Sequence, residues 1–239
     1  MTRPTAPSIL VIEHTPVDPP GRVGAWLREE GYELEVVRPY AGDPQPTELS
    51  SYAGLLVLGG DVGAYDDEIA PWLPATKALL AQAVTDQIPT LAICLGHQLL
   101  AVASGGRVAK SPAGQQGGTP TVGLQPAAAT DPLFGGVSPD AVAVHWNNDL
   151  VVELPPGAVE LARSTAGVQA MRLGDRVWGV QFHPEVDAET VRVWAAADVD
   201  SGTLTAERAT AWLTEMEDND AILQSTWRPV IHRFATLLS

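Results

Sequence analysis

The chain has 239 residues, 45% of them hydrophobic, enough for one large α/β domain or two small ones with a sizeable core. Its net charge of −15, with only 14 Lys and Arg, argues against a nucleic-acid partner, because phosphate contacts need clustered cations. A single cysteine excludes a disulfide framework and a cysteine zinc cage. No apolar run reaches membrane-spanning length, and Met1–Ser8 lacks the apolar core of a signal peptide, so a cytoplasmic location is expected, with no membrane partner.

Ser8-Ile9-Leu10-Val11-Ile12 reads as a first buried strand. Gly21 to Gly31 carries Val23, Trp26 and Leu27 at helical spacing, and Gly31 is a natural stop. Tyr32 to Val37 alternates as a second strand. Ala41 to Ser50 is a polar, Pro-rich loop. Tyr52 to Leu58 is a third strand, ending at Gly59-Gly60. Trp72 to Asp86 has the pattern of a helix, and Ile88 to Ile93 that of a central strand. Strands alternating with helices imply right-handed βαβ units around a parallel sheet. From Gly105 to about Val186 short apolar runs separated by Gly and Pro predict small antiparallel strands, at 121–124, 141–144, 168–171 and 177–180. Asp187 to Ser239 reads as a helical, acidic extension, with Trp194, Trp212 and Trp227 as core anchors. The expected fold is therefore α/β: a flavodoxin-like, mostly parallel sheet with flanking helices, small antiparallel strands and a C-terminal helical extension. It forms a single domain over 1–239, with a core of about 8–186.

The one cysteine, Cys94, falls between an apolar strand and a helical stretch from His97 to Ser104. A strand–Cys–helix turn presents a side chain at the carboxyl edge of the sheet. The nearby helix N-terminus favours thiolate over thiol. Gly96 allows the close backbone approach such an elbow needs. The alternative reading is a buried core cysteine. A nucleophilic thiol needs a base and a group to orient that base. Of the five histidines, His183 stands out: it follows the strand Val177 to Phe182, precedes Pro184, and has Glu185 two residues on. The carboxylate can fix the imidazole tautomer and stabilise its charged form. The alternative is a turn histidine beside a solvated glutamate. Two backbone N–H groups could hold an oxyanion, that of Leu95 after the cysteine and that of Gly60 at the end of the third strand. Neither a nucleotide-phosphate loop nor an HxH or HExxH metal spacing occurs, so no cofactor and no metal are expected.

Three segments then occur in order: Leu58-Gly59-Gly60-Asp61, Ala92-Ile93-Cys94-Leu95-Gly96-His97-Gln98 and Gly179-Val180-Gln181-Phe182-His183-Pro184-Glu185-Val186. Together they resemble the class I, or triad, glutamine amidotransferases, and most closely the stand-alone, GMP-synthase-like branch. The resemblance covers roughly Ser8 to Val186. It implies that Cys94 attacks the side-chain amide of L-glutamine, that His183 manages the protons and that Glu185 orients His183. It further implies an oxyanion hole at Gly60 and Leu95, and substrate contacts at Gln98, Gly59, Asn147, Asn148 and Asp149. Three departures stand out. Asp61 replaces a frequent proline, Asn147-Asn148 replaces His-Gly, and Gln115-Gln116 stands where an acidic residue usually precedes Gly. The expected function is a glutaminase that supplies ammonia to a separate synthase partner. A stand-alone hydrolase or transferase of γ-glutamyl amides or peptides and a non-catalytic binding module are the alternatives.

Overall fold

The computed structural model describes residues 7–238; Met1–Ala6, part of the segment read above for a targeting signal, and Ser239, the end of the extension, lie outside the described residues. In chain order its elements are β1 (Ser8–Ile12), α1 (Gly21–Glu29), β2 (Glu33–Val37), β3 (Gly54–Val57), α2 (Leu73–Asp86), β4 (Thr90–Ile93), α3 (Leu95–Ala103), β5 (Arg107–Lys110), β6 (Gln116–Gly118), β7 (His145–Asn147), β8 (Asp149–Glu153), β9 (Val159–Arg163), β10 (Val168–Leu173), β11 (Val177–Val180), α4 (Ala188–Asp200) and α5 (Ala206–Thr236). A nine-stranded sheet runs β2-β1-β3-β4-β11-β10-β8-β5, with β9 on β10; β6 and β7 make a separate ribbon. From β2 to β11 all pairings are parallel, and beyond β11 they are antiparallel.

The alternation along β1 sorts the helices. Ile9 and Val11 pack with α1 residues Val23, Trp26 and Leu27. Leu10 and Ile12 point the other way, into the cluster that holds Leu79 of α2 and Leu99 of α3. Strands buried on both faces read as continuous apolar runs, as β1, β3 and β4 do. Gly31 stops α1 as expected, at φ +91°. The extension is not an appendage. Met216, Leu223, Trp227, Ile231 and Phe234 of α5 are buried in the same cluster as Ile9 and Trp26. Burial of each such side chain is worth roughly 1.5–3 kcal/mol. Asp187 caps α4 by accepting from the Thr190 N–H at 2.9 Å, and Thr205 caps α5 through the Arg208 N–H at 3.3 Å.

The middle of the chain differs from expectation. The runs at 121–124 and 141–144 form isolated bridges, Thr121 to Val142, Leu124 to Ala162 and Val144 to His183, instead of strands. Gly123, at φ +70°, breaks extended backbone there. Conversely, β5 to β9 lie outside the runs read above as strands, although β8 carries the apolar run Leu150-Val151-Val152. β6 is Gln-Gly-Gly and β5 is half polar, so neither shows the alternation that betrays a strand.

Candidate active site

The carboxyl ends of β3, β4 and β11 lie side by side, so the residues after each strand converge on one edge of the sheet. After β4 comes Cys94, at φ 50° and ψ −105°, a conformation that L residues rarely adopt. Its neighbours hold it there. The Cys94 N–H donates to the Val180 carbonyl at 2.8 Å, and its own carbonyl accepts from Gln98 N–H at 3.1 Å. α3 starts immediately at Leu95, two residues earlier than the sequence pattern indicates. Gly96 is required by packing: a Cβ there would lie 2.4 Å from the Val57 carbonyl oxygen of β3.

After β11 comes His183, whose backbone N–H leaves the sheet to donate to the Val144 carbonyl at 2.8 Å. Its Nδ1 lies 2.6 Å from Glu185 Oε1, and both side chains are almost fully buried. Burial opposes charge on His183, but Glu185 and Cys94 outweigh it and hold its pKa well above the usual 6.5. His183 Nε2 is buried without a hydrogen-bond partner, so it is available to exchange a proton with the thiol. Glu185 is anchored through its backbone, since its carbonyl accepts from Arg22 N–H at 2.7 Å. Gly21, at φ +44°, gives that carbonyl room; a Cβ there would be 2.2 Å from it.

After β3 come Gly59 and Gly60. Neither uses positive φ, so the pair serves close approach and not backbone freedom. A Cβ on Gly60 would meet His14 Cβ and Leu95 Cδ2, each at 2.8 Å. One on Gly59 would meet Asp18 Oδ2 at 2.9 Å and His183 Cε1 at 3.2 Å. Among the described residues, neither the Gly60 nor the Leu95 N–H donates a hydrogen bond. Both residues line a cleft of about 860 Å³ that also exposes Cys94, His183, Gln98, Asn147, Asn148 and Asp149. Gly59 lies behind that wall, beneath Asp18 and His183, and is not among the lining residues.

The substrate-contact candidates differ in character. Gln98 is buried, and its Nε2 is committed to the Asp149 carbonyl at 3.0 Å and to Gln181 Oε1 at 3.2 Å. Asn147 is buried, with Nδ2 on the Asp149 carbonyl at 3.1 Å and Oδ1 unpartnered. Asp149 also carries a buried, unpartnered Oδ1. Asn148 is exposed and does not adopt positive φ, so the change from glycine requires no strained backbone.

Four side chains of this site have no functional role in the sequence analysis above. Asp18, in the loop between β1 and α1, is 7% exposed, and burial pushes its pKa up to about 7; the His183 charge opposes this, while Glu185 and Asp61 reinforce it. Trp194, expected to be a core anchor, is buried as expected, but its ring also packs 4.8 Å from that of His183 and lines the cleft. Its Nε1–H donates to the Val17 carbonyl at 3.0 Å. Asp198 accepts from Gln115 Nε2 at 2.6 Å and from Trp146 Nε1 at 2.9 Å, tying α4 to the far wall. Gln181 touches Cys94 itself. Of the remaining histidines, burial lowers His14 to about 4 and His97 to about 3; it also lowers His145 to about 3, with the His183 charge adding to the effect. These are neutral packing groups. His232 pairs with Glu30 at the surface. Trp212 and Trp227 are core residues, the former against Trp146 and the latter against Phe182. Among the described residues no group of His, Cys, Asp or Glu could hold a metal, and no helix is long and apolar enough to cross a membrane.

The model of the class-I glutamine amidotransferase family matches residues 24–193. The chain belongs to that family. It is 31% identical over 184 residues to the glutamine amidotransferase-like protein YfeJ of Salmonella typhimurium, covering 75% of this chain and 76% of that one. A subunit of the glutamine-hydrolyzing GMP synthase of Halobacterium salinarum is 43% identical over 105 residues, which is 43% of this chain and little over half, 56%, of that protein. A crystal structure of a glutamine amidotransferase from Methylobacillus flagellatus superposes with a TM-score of 0.86 at 30% identity, over 98% of this chain and 96% of the other. The family match ends at Val193, so Trp194 and Asp198 reach the cleft from just beyond it.

Proposed function

We propose that this chain hydrolyses the side-chain amide of L-glutamine through a Cys94 γ-glutamyl thioester and delivers the ammonia to a separate synthase partner. The observation that carries the reading is the convergence, on one cleft, of a strained Cys94, a buried His183 with a free Nε2, and Glu185 at 2.6 Å from its Nδ1. His183 takes the thiol proton, and the Cys94 sulfur attacks the amide carbon. The Gly60 and Leu95 N–H groups hold the oxyanion that forms; such a donor is worth ~10²–10³ in rate. His183 returns its proton to the leaving nitrogen, the C–N bond breaks and ammonia departs. Water, deprotonated by His183, then attacks the thioester and expels the Cys94 thiolate, releasing glutamate. Glu185 keeps the proton on Nδ1, leaving Nε2 as the base. Asn147, Asp149 and Gln98 line the cleft where the glutamine backbone groups would lie, with Asn148 at its rim. The names of the relatives support the partner: one is a component of a glutamine-hydrolyzing synthase.

A cleft of about 860 Å³ is roomy for a free amino acid and favours a second reading, a γ-glutamyl amide or peptide hydrolase acting alone. The deciding experiment measures glutamate and ammonia release from L-glutamine and from a panel of γ-glutamyl amides, beside Cys94→Ser. Cys94-dependent release from glutamine supports the glutaminase. Release only from the larger amides supports the second reading. Turnover that survives Cys94→Ser removes Cys94 from the nucleophile role.

A further inference from the structure

The residue that follows β11 is Gln181, fully buried between the nucleophile and the Gln98 side chain. Its backbone is fixed, since its N–H donates to the Gln169 carbonyl at 2.9 Å. Its side-chain orientation is fixed as well, by a chain of deduction that starts at a carbonyl. The Asp149 carbonyl can only accept, so the Gln98 atom 3.0 Å from it is the amide nitrogen. That nitrogen can only donate, so the Gln181 atom 3.2 Å from it is the oxygen. The Gln181 NH₂ therefore faces the Cys94 sulfur, at 3.5 Å.

We propose that Gln181 is a further catalytic residue, whose amide N–H holds the Cys94 sulfur as thiolate and couples it through Gln98 to the Asp149 backbone. An N–H donor stabilises a charged acceptor more than a neutral one. The amide therefore favours the thiolate twice, as the attacking species and again as the group expelled when water cleaves the thioester. His183 supplies the proton traffic; Gln181, which has no proton to exchange, supplies a fixed dipole. Being buried, that dipole acts where little water competes with it. The lock through Gln98 also means that a disturbance at the Asp149 carbonyl is felt at the sulfur, 87 positions from Gln181 in sequence but one amide away in space.

The proposal rests on Cys94 being the nucleophile, and its test needs no turnover. Cys94 is the only cysteine, so its alkylation by iodoacetamide is followed without interference. The second-order rate is measured against pH for the wild type, Gln181→Met and Gln181→Glu, with thermal melting to verify folding. Met keeps the approximate volume and removes the donor; Glu keeps the shape and places negative charge beside the sulfur. The titratable groups that line the cleft with Cys94, namely Asp18, Asp61, Tyr65, Asp66, Lys110, Asp149, His183 and Asp198, stay unchanged throughout, as do the buried Glu185 and His145 beside His183. The expected result for Gln181→Met is a midpoint displaced upward by about one pH unit, with a rate about tenfold slower at pH values below the wild-type midpoint, and a larger displacement for Gln181→Glu. Profiles that superimpose on the wild type in either folded variant overturn the proposal. If Gln181→Met does not fold, Gln181→Glu decides. Failure of the glutaminase reading would show differently, as no Cys94-dependent glutamate release from L-glutamine, whatever the alkylation profiles.

Discussion

Asp18 is the residue whose replacement should stabilise this protein. Its carboxyl is 7% exposed, beside His183 and Glu185, with Asp61 near, and burial raises its pKa from 3.8 to about 7. In the unfolded chain the same group ionises near its ordinary value. Between about pH 4 and pH 7 the folded state therefore holds a proton that the unfolded state has lost, and stability falls as pH rises through that window. At about 1.4 kcal/mol per pH unit the loss at neutral pH is about 4 kcal/mol as an upper bound. Asp18→Asn removes the ionisation and keeps the shape. The expected outcome is a gain of roughly 1–4 kcal/mol at pH 7–8 that vanishes near pH 4, where the wild-type carboxyl is protonated in both states. Urea unfolding of both proteins at several pH values reads it directly. The reasoning is refuted by a variant no more stable than wild type at pH 8, or by a gain of the same size at pH 4.

Two further substitutions separate roles within the site. Glu185→Gln replaces a charge-assisted hydrogen bond with a neutral one and lets the amide turn its NH₂ toward Nδ1, which would move the imidazole proton to Nε2. It should lower kcat by ~10²–10⁴ while KM changes by less than about threefold; a KM effect with kcat intact contradicts an orienting role. Trp194→Phe should keep the ring against His183, lose the hydrogen bond to Val17, cost about 1 kcal/mol and leave turnover within a few-fold. Trp194→Ala removes both and should cost about 3–5 kcal/mol and lower turnover further; equal melting temperatures and rates for the two variants would show that the ring is not a wall of the site.

The parallel half of the fold was legible because β1, β3, β4 and β11 are buried on both faces, β2 alternates, and Gly31 and Gly59 mark two of the stops. β1, β3 and β4 are uninterrupted apolar runs, and no tertiary context was needed to see them. Of the antiparallel half, β10 and its partner β11 were legible at 168–171 and 177–180, and the rest was not. β6 and β7 pair three residues each, and Trp212 packs over the ribbon from 95 positions beyond Gly117 and 66 beyond Trp146. A local pattern cannot carry that information. The same division runs through the site. Cys94, His183 and Glu185 stand out in the sequence because each follows an apolar strand at a turn, and the structure brings all three to one edge of the sheet. Gly59 came with the family resemblance, and it is not among the residues that line the cleft.

What stayed hidden shares one physical cause: burial by elements distant in sequence. Asp18 is an ordinary loop acid until the end of β11 delivers His183 above it and α4 lays Trp194 across it. A carboxylate also reaches the cleft wall from α4: Asp198 lines it, held by Gln115 and Trp146 together. α4 is pinned in turn by α5, which is buried in the same core as β1 and α1. The extension thus builds the site and does not merely cover it. Loosening α5 from the core should therefore disturb Trp194 and Asp198, and through Trp194 the packing of His183, before it unfolds the parallel sheet.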